Sequence, residues 1–340
     1  MIIKELDNAR RGDWDAFVKA SPAGTFFHLS GWKDVMEKTF RHRTYLLVAE
    51  EAGAIAGVLP LVHVKSRLFG NSLISMAFCT YGGPVGAPEA IASLDERARA
   101  FADELKVDYL EYRSIERSFP DYKCKDSLYV TFRKEISADH DANMKAIPRK
   151  QRAMVRKGIG FELQGEIDTT PERLFRIYSE SVRNLGTPVF PKSLFGNLLK
   201  SFGGDVDIIT ITHKGEALSS VMNFYFRDEV LPYYGGSIFA ARPVAANDFM
   251  YWEVMRRAAD RGYRIFDYGR SKVGTGSYSF KKNWGFEPQP LHYEFYLRNS
   301  DDLPDISPKN PKYQAMIAVW KKLPVPVANA IGPFVSRALG

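Results

Sequence analysis

The chain is short of the residue types on which several function classes depend. It has 340 residues and only two cysteines, Cys79 and Cys124, with no pairing pattern and no metal-ligand spacing. That excludes a disulfide scaffold and a zinc-ribbon site, and implies a reducing compartment. The six histidines are scattered, and no Ser-His-Asp or Cys-His constellation is apparent. No stretch approaches the roughly 18 apolar residues of a membrane span. The N-terminus, MIIKELDNARRGDW, is charged from the start and lacks a signal-peptide core. A cytoplasmic protein with no metal and no required cofactor is expected.

What is present is ordinary in amount and unusual in arrangement. The 45% hydrophobic and 26% charged content is that of a soluble globular protein, and the length allows two domains. The net charge of +7 points to an anionic partner such as nucleic acid, a phosphorylated substrate or a membrane surface. Part of that charge is concentrated in MKAIPRKQRAMVRKGIG (144–160), where Arg149, Lys150, Arg152, Arg156 and Lys157 place five cations and no acid within nine residues. Helical spacing puts Arg149, Arg152 and Arg156 on one face, a surface suited to phosphates. Little aromatic interleaving accompanies it, which argues against single-strand base stacking.

A pattern recurs along the chain. Tyr81-Gly82-Gly83-Pro84 precedes a helical stretch over 89–106 and the strand-like DYLEYRS (108–114). Tyr234-Gly235-Gly236-Ser237 precedes a helix over about 247–262 and FDYGRS (266–271). Upstream of each copy the order is also shared. Strands are predicted at 2–6, 45–50, 54–64 and 72–80 in the first half, with helices over 14–20 and 32–40. In the second half a strand at 161–166 is followed by a helix over 171–183 and strands at 206–212, 217–225 and 230–234. Two copies of one α/β (α+β) unit are therefore expected. The divisions fall at 1–143, a basic connecting helix over 144–160, a second unit over 161–299, and a 300–340 tail. The tail comprises a Pro-rich linker, NSDDLPDISPKNP, and an amphipathic helix over 313–323 with Met316, Ile317, Val319, Trp320 and Leu323 on one face.

The element order resembles that of GNAT acyltransferase domains, each a mixed, mostly antiparallel sheet flanked by helices, with a cleft over a kinked strand. The string YYGGS, then N-x-x-x-x-W-E, FDYGR and YSFKKNWGF is similar to the Fem family of aminoacyl- and peptidyl-transferring ligases, which carry tandem GNAT-like domains joined by a basic helix. The similarity is closest to FemAB-related proteins of PEP-CTERM/exosortase and exopolysaccharide systems. It implies amide formation on an amine of a small-molecule or lipid-linked envelope substrate. The implied donor is aminoacyl-tRNA, with acyl-CoA as the alternative. A non-catalytic GNAT-like module of an export or sorting system is the third reading. Oligomeric state is left open.

Residue roles follow partly from chemistry and partly from the resemblance. Lys281, in the Phe-Lys pair the family places in its transfer cleft, is expected to stabilise a tetrahedral oxyanion. Asp267 and Arg270, at the end of FDYGR, are candidates for holding an ammonium and an anion. Tyr81 and Tyr234 are expected to donate to substrate, beside Gly82, Gly83, Gly235 and Gly236, which permit close approach of a kinked strand. Gly274 and Gly276 allow backbone contact with an anion, and Tyr278 and Phe280 complete the set. Three features depart from the families' patterns. FAARPVAAN (239–247) has no glycine where acyl-CoA enzymes bind pyrophosphate, and Pro243 removes a donor. YGGPVGAPEA lacks the aspartate of ligases that bind cell-wall nucleotide precursors. The long tRNA-engaging helical hairpin of some members is not evident. The tail can pack on its domain, dock a partner or lie on anionic lipid at the inner membrane face.

Overall fold

The computed structural model describes residues 1–66, 69–299, 301–304 and 311–339. Residue 300 and residues 305–310 of the expected linker lie outside the described residues. The chain divides into two compact units. One holds Met1–Tyr129, the segment from Pro290 and the C-terminal residues from Val335. The other holds Val130–Gln289 and the C-terminal helical segment ending at Phe334.

The first unit is built on an eight-stranded sheet ordered Ile2–Glu5, Arg43–Glu51, Ala54–Ser66, Gly70–Ser75, Tyr109–Ser114, His292–Leu297, Lys123–Lys125, with Val85–Gly86 added to Ala54–Ser66. The pairings are antiparallel except Gly70–Ser75 with Tyr109–Ser114, which the helix Pro88–Glu104 connects. Proline at its first position and Glu89 in its first turn suit a helix start. Its Ala90, Leu94, Ala98 and Ala102, spaced by four, bury one face against Leu47, Leu59 and Leu110.

The second sheet is ordered Ser271–Lys272, Tyr129–Glu135, Ile265–Asp267, Glu229–Ser237, Glu216–Phe226, Val206–His213, Gln164–Asp168, with Pro288–Pro290 beside Tyr129–Glu135. Here too one crossover pair is parallel, Glu229–Ser237 with Ile265–Asp267, joined by the helix Ala246–Asp260. Helix Glu172–Leu185 buries Leu174, Ile177, Tyr178 and Val182 and stops at Gly186, whose φ of +83° suits glycine.

Several expectations are corrected. The unit boundaries are not at 143 and 299, because strand Tyr129–Glu135 joins the second sheet and His292–Leu297 joins the first. The basic segment is two helices, His140–Ala146 and Arg149–Gly160. Pro148 has no N–H and forces extended backbone on Ile147, which ends the first helix. The strand expected at 161–166 runs Gln164–Asp168 instead, since Phe161 and Glu162 still close the preceding helix. The strand expected over 72–80 stops at Ser75, and Met76 and Phe78 take left-handed φ values. After Pro311–Trp320 the tail carries a second helix, Val325–Ser336. Among the described residues no helix is long and apolar enough to cross a membrane.

Candidate active site

The second unit gathers most of the sequence-derived candidates around one kinked strand. In Glu229–Ser237 the register slips opposite Met222 and Asn223, so that Tyr233 is the extra, bulged residue. Pro232, which has no N–H for the ladder, stands beside the bulge. Pairing with the parallel strand covers only Glu229 and Val230, after which the two strands diverge. Ile238 N–H donates to the Leu218 carbonyl at 3.0 Å. By the alternation of an antiparallel ladder, Gly236 bonds on that same edge, while the N–H groups of Gly235 and Ser237 point to the divergent edge. A splayed strand with outward N–H groups can hold a carbonyl as it becomes an oxyanion.

At the end of the divergent partner strand lies the lysine. Gly269, at φ +67°, sits against the Tyr233 ring. Lys281, on the helix Gly276–Asn283, donates from Nζ to the carbonyls of Gly269 at 2.9 Å and Arg270 at 3.1 Å. The side chain is buried, with the Phe132 ring 5.7 Å from Nζ. Burial pulls the ammonium down to about 7, opposed by the attraction of Asp267 and reinforced by the repulsion of Arg270. An ammonium has three donors, and two serve the Gly269–Arg270 turn.

Asp267 is fully buried and braces that turn. Its Oδ1 accepts from Gly269 N–H at 2.7 Å and from Thr131 Oγ1 at 3.0 Å, and its Oδ2 is 3.7 Å from Arg133 Nε. Arg133 also bonds Glu229, whose carboxyl is raised by burial against the pull of that guanidinium. Asp267 is thus engaged inside the protein, and the expected role of receiving a substrate ammonium gives way to positioning. Arg270 is half-buried beside it.

The remaining candidates separate. Tyr234 is buried among Tyr178, Phe190, Phe195 and Phe224, so its ring serves the core. Gly236 allows helix Glu172–Leu185 to approach, since a Cβ there would meet Ser181 and Tyr178, and a Cβ on Gly235 would press on Val221. Gly274, at φ +79°, turns the chain into the lysine helix, which Thr275 caps and Gly276 begins. Tyr278 packs edge-on to Phe132, and Phe280 packs on Tyr251 and Trp284. In the first unit Tyr81 is buried against Phe27, and the N–H groups of Gly82 and Gly83 both donate to the Arg113 carbonyl at 3.0 Å. His28 holds that loop from the other side. Its Nδ1 accepts from Thr25 N–H, so Nε2–H donates to the Gly83 carbonyl at 2.8 Å, and burial lowers its pKa to about 4. The first Tyr-Gly-Gly is therefore occupied by internal bonds and not available as a backbone donor set.

Sequence reasoning passed over Tyr233, Gly269, Thr131 and Arg133. The last two belong to YVTFRKE (129–135), whose period-2 alternation turns Val130 and Phe132 into the core and leaves Thr131 and Arg133 for Asp267 and Glu229.

Two further features bear on the donor. The helix Arg149–Gly160 buries Gln151, Val155 and Gly158, with Gly158 close against Phe249. Arg149, Lys150, Arg156 and Lys157 are exposed and Arg152 is half-buried, and none of the five makes an ion pair among the described residues. At the start of helix Ala246–Asp260, Asp248 accepts from Gln151 Nε2 and Trp284 Nε1, both at 3.1 Å, and burial raises its carboxyl. An acid at this helix N-terminus already uses the field that would otherwise attract a pyrophosphate. Among the described residues no group of three or more His, Cys, Asp or Glu is disposed to hold a metal ion.

A family model described as an acetyltransferase (GNAT) domain matches residues 142–282, which contain the kinked strand and the lysine. No curated protein matches the chain. Among solved structures the chain is similar to FemX, at 15% identity and TM-score 0.70 over 93% of this chain and 100% of that one. It is similar to L-PGS from Bacillus licheniformis at 15% identity and TM-score 0.54, over 94% and 98% of the two chains. A tandem GNAT protein from the clavulanic acid biosynthesis pathway matches at 12% identity and TM-score 0.55, over 88% and 99%. At such identities the likeness is one of fold. The architecture is that of tandem GNAT-like domains, as the repeated element order predicts.

Proposed function

We propose that the chain is an acyltransferase of the Fem/GNAT type. It forms an amide by moving an aminoacyl group from an ester donor to an amine on a cell-envelope or exopolysaccharide-related acceptor. The observation that carries the reading is the buried Lys281 ammonium, set through the Gly269 carbonyl beside the bulge of a splayed strand. In the reaction the acceptor nitrogen attacks the ester carbonyl carbon and the carbonyl oxygen becomes an oxyanion. Collapse breaks the carbon–oxygen bond to the carrier. The amine proton leaves and the carrier hydroxyl is restored. Fixed donors aimed at the oxyanion lower this barrier without reorganising, which is the role given to Lys281 and the divergent-edge N–H groups. Alignment of acceptor and ester by the cleft supplies the rest. Asp267, Thr131 and Arg133 act as positioning residues for the Gly269 turn.

The donor we favour is aminoacyl-tRNA. Four exposed cations and Arg152 on one helix offer a polyanion surface, and Asp248 disfavours a pyrophosphate at the helix where acyl-CoA enzymes bind it. Acyl-CoA is the second reading, favoured by the acetyltransferase-domain match over 142–282. Calorimetric titration with coenzyme A and with a bulk aminoacyl-tRNA pool, at low and moderate salt, separates the two. Salt-sensitive binding of the tRNA pool without CoA is expected. Binding of CoA alone overturns the donor assignment, and binding of neither removes both.

A further inference from the structure

The C-terminal helices carry an apolar face that their own unit does not cover. In Val325–Ser336 the inward positions are Ala328, Gly332 and Ser336, at spacings of four, with Gly332 close against Val189. Asn329 Nδ2 donates a hydrogen bond to Ser179 Oγ at 3.3 Å. The opposite side shows Val327, Ile331 and Phe334 at spacings of four and three, with Phe334 80% exposed. In the preceding helix Met316 and Val319 are also exposed, Val319 by 64%. Ile317 of the same helix packs against Gly186, so the segment is seated on its unit while this side remains outward.

The charge of the segment is of one sign. From residue 311 to the C-terminus there are four Lys or Arg and no Asp or Glu. Lys321 and Lys322 lie exposed between the two helices. An apolar stripe beside cations, with no acid in the segment itself, matches an anionic bilayer surface, where apolar side chains enter the interface and lysines meet the headgroups. A second copy of the chain is a poorer fit, because a self-complementary contact would bring these lysines against each other.

We propose that the C-terminal helix pair, through Val319, Val327, Ile331 and Phe334 with Lys321 and Lys322, docks the protein on an anionic lipid bilayer. The inference is independent of the acyl donor and of the transferase reading. It is tested by flotation of the full chain with vesicles of phosphatidylglycerol and phosphatidylcholine, or of phosphatidylcholine alone. Binding to the anionic vesicles is expected, falling by about tenfold in Ile331→Ser/Phe334→Ser and in Lys321→Glu/Lys322→Glu. Thermal unfolding checks that both variants fold, and the charge variant decides should the apolar one fail to. The proposal is overturned if the wild-type chain does not float with anionic vesicles, or if the folded variants float equally well. A wild-type dimer that the apolar variant converts to a non-floating monomer, with the charge variant floating normally, assigns the face to self-association and overturns it too.

Discussion

Lys281 stands where water has little access, and this has consequences in both stability and rate. Burial lowers its pKa from 10.5 to about 7. Between those values the unfolded chain keeps a proton that the folded lysine has released, so stability rises with pH across that window. The slope from this one group reaches about 1.4 kcal/mol per pH unit. Comparing unfolding temperatures of the wild type and Lys281→Met from pH 6.5 to 9.5 isolates it, since other titrating groups are shared. The wild type is expected to gain on the variant as pH rises, and parallel curves would contradict the burial-driven shift. In catalysis the charged form is the useful one, so turnover should decline as pH rises through about 7 once the acceptor amine is accounted for. Lys281→Ala is expected to lower kcat by roughly 100- to 1,000-fold with little change in KM. Near-wild-type turnover in a folded Lys281→Ala protein would remove the lysine from the mechanism. The motif around Lys281 was legible in the sequence. Its burial was not, because a lysine beside another lysine ordinarily reads as solvated.

At the scale of single elements, the helix Arg149–Gly160 has a buried face of Gln151, Val155 and Gly158 and an outward side of cations that make no ion pair among the described residues. Unpaired charges contribute little to holding the helix in place, which its packing against Ala246–Asp260 already does. Replacing Arg149, Arg156 and Lys157 by alanine should therefore leave the unfolding temperature nearly unchanged. If these cations meet phosphates, the slope of log K against log salt for the tRNA pool shallows by about 0.7 to 0.9 for each phosphate no longer neutralised. An unchanged slope in a variant that still binds would place the tRNA surface elsewhere. The cationic run could be read from residue order alone, and helical spacing gave its face. The break at Pro148 is a local rule of proline, yet the continuous run of basic residues masks it. The strand Tyr129–Glu135 was harder to see. Its alternation is short and half charged, and the partners of Arg133, Asp267 and Glu229, arrive from far along the chain.

At the scale of the whole molecule the repeat gives the order of the shared elements, misplaces the divisions and omits the strands Lys123–Lys125, Tyr129–Glu135 and His292–Leu297. Each half supplies strand, helix and parallel strand in the predicted order, because those pairings are local in sequence. The sheets are completed by exchange, which no local signal reports. Tyr129–Glu135 pairs with Ile265–Asp267, and His292–Leu297 pairs with Tyr109–Ser114 and Lys123–Lys125. The returning strand buries Tyr293 and Phe295 in the first unit. Its Glu294 accepts from the N–H groups of Ser118 and Phe119 at 3.0 and 2.7 Å, and burial raises that carboxyl. A chain ending at residue 143, where the sequence suggests a boundary, lacks these partners. It leaves Tyr109–Ser114 without its antiparallel neighbour and exposes Val130 and Phe132 on a strand with no sheet to join. Such a strand edge favours association over folding. The shortened chain is expected to show no cooperative thermal transition, whereas residues 1–129 joined through a flexible linker to residues 288–299 regain one. A sharp, reversible transition in the chain ending at 143 would mean that the first sheet closes without the returning strand, and the exchanged topology would then be dispensable for this unit's stability.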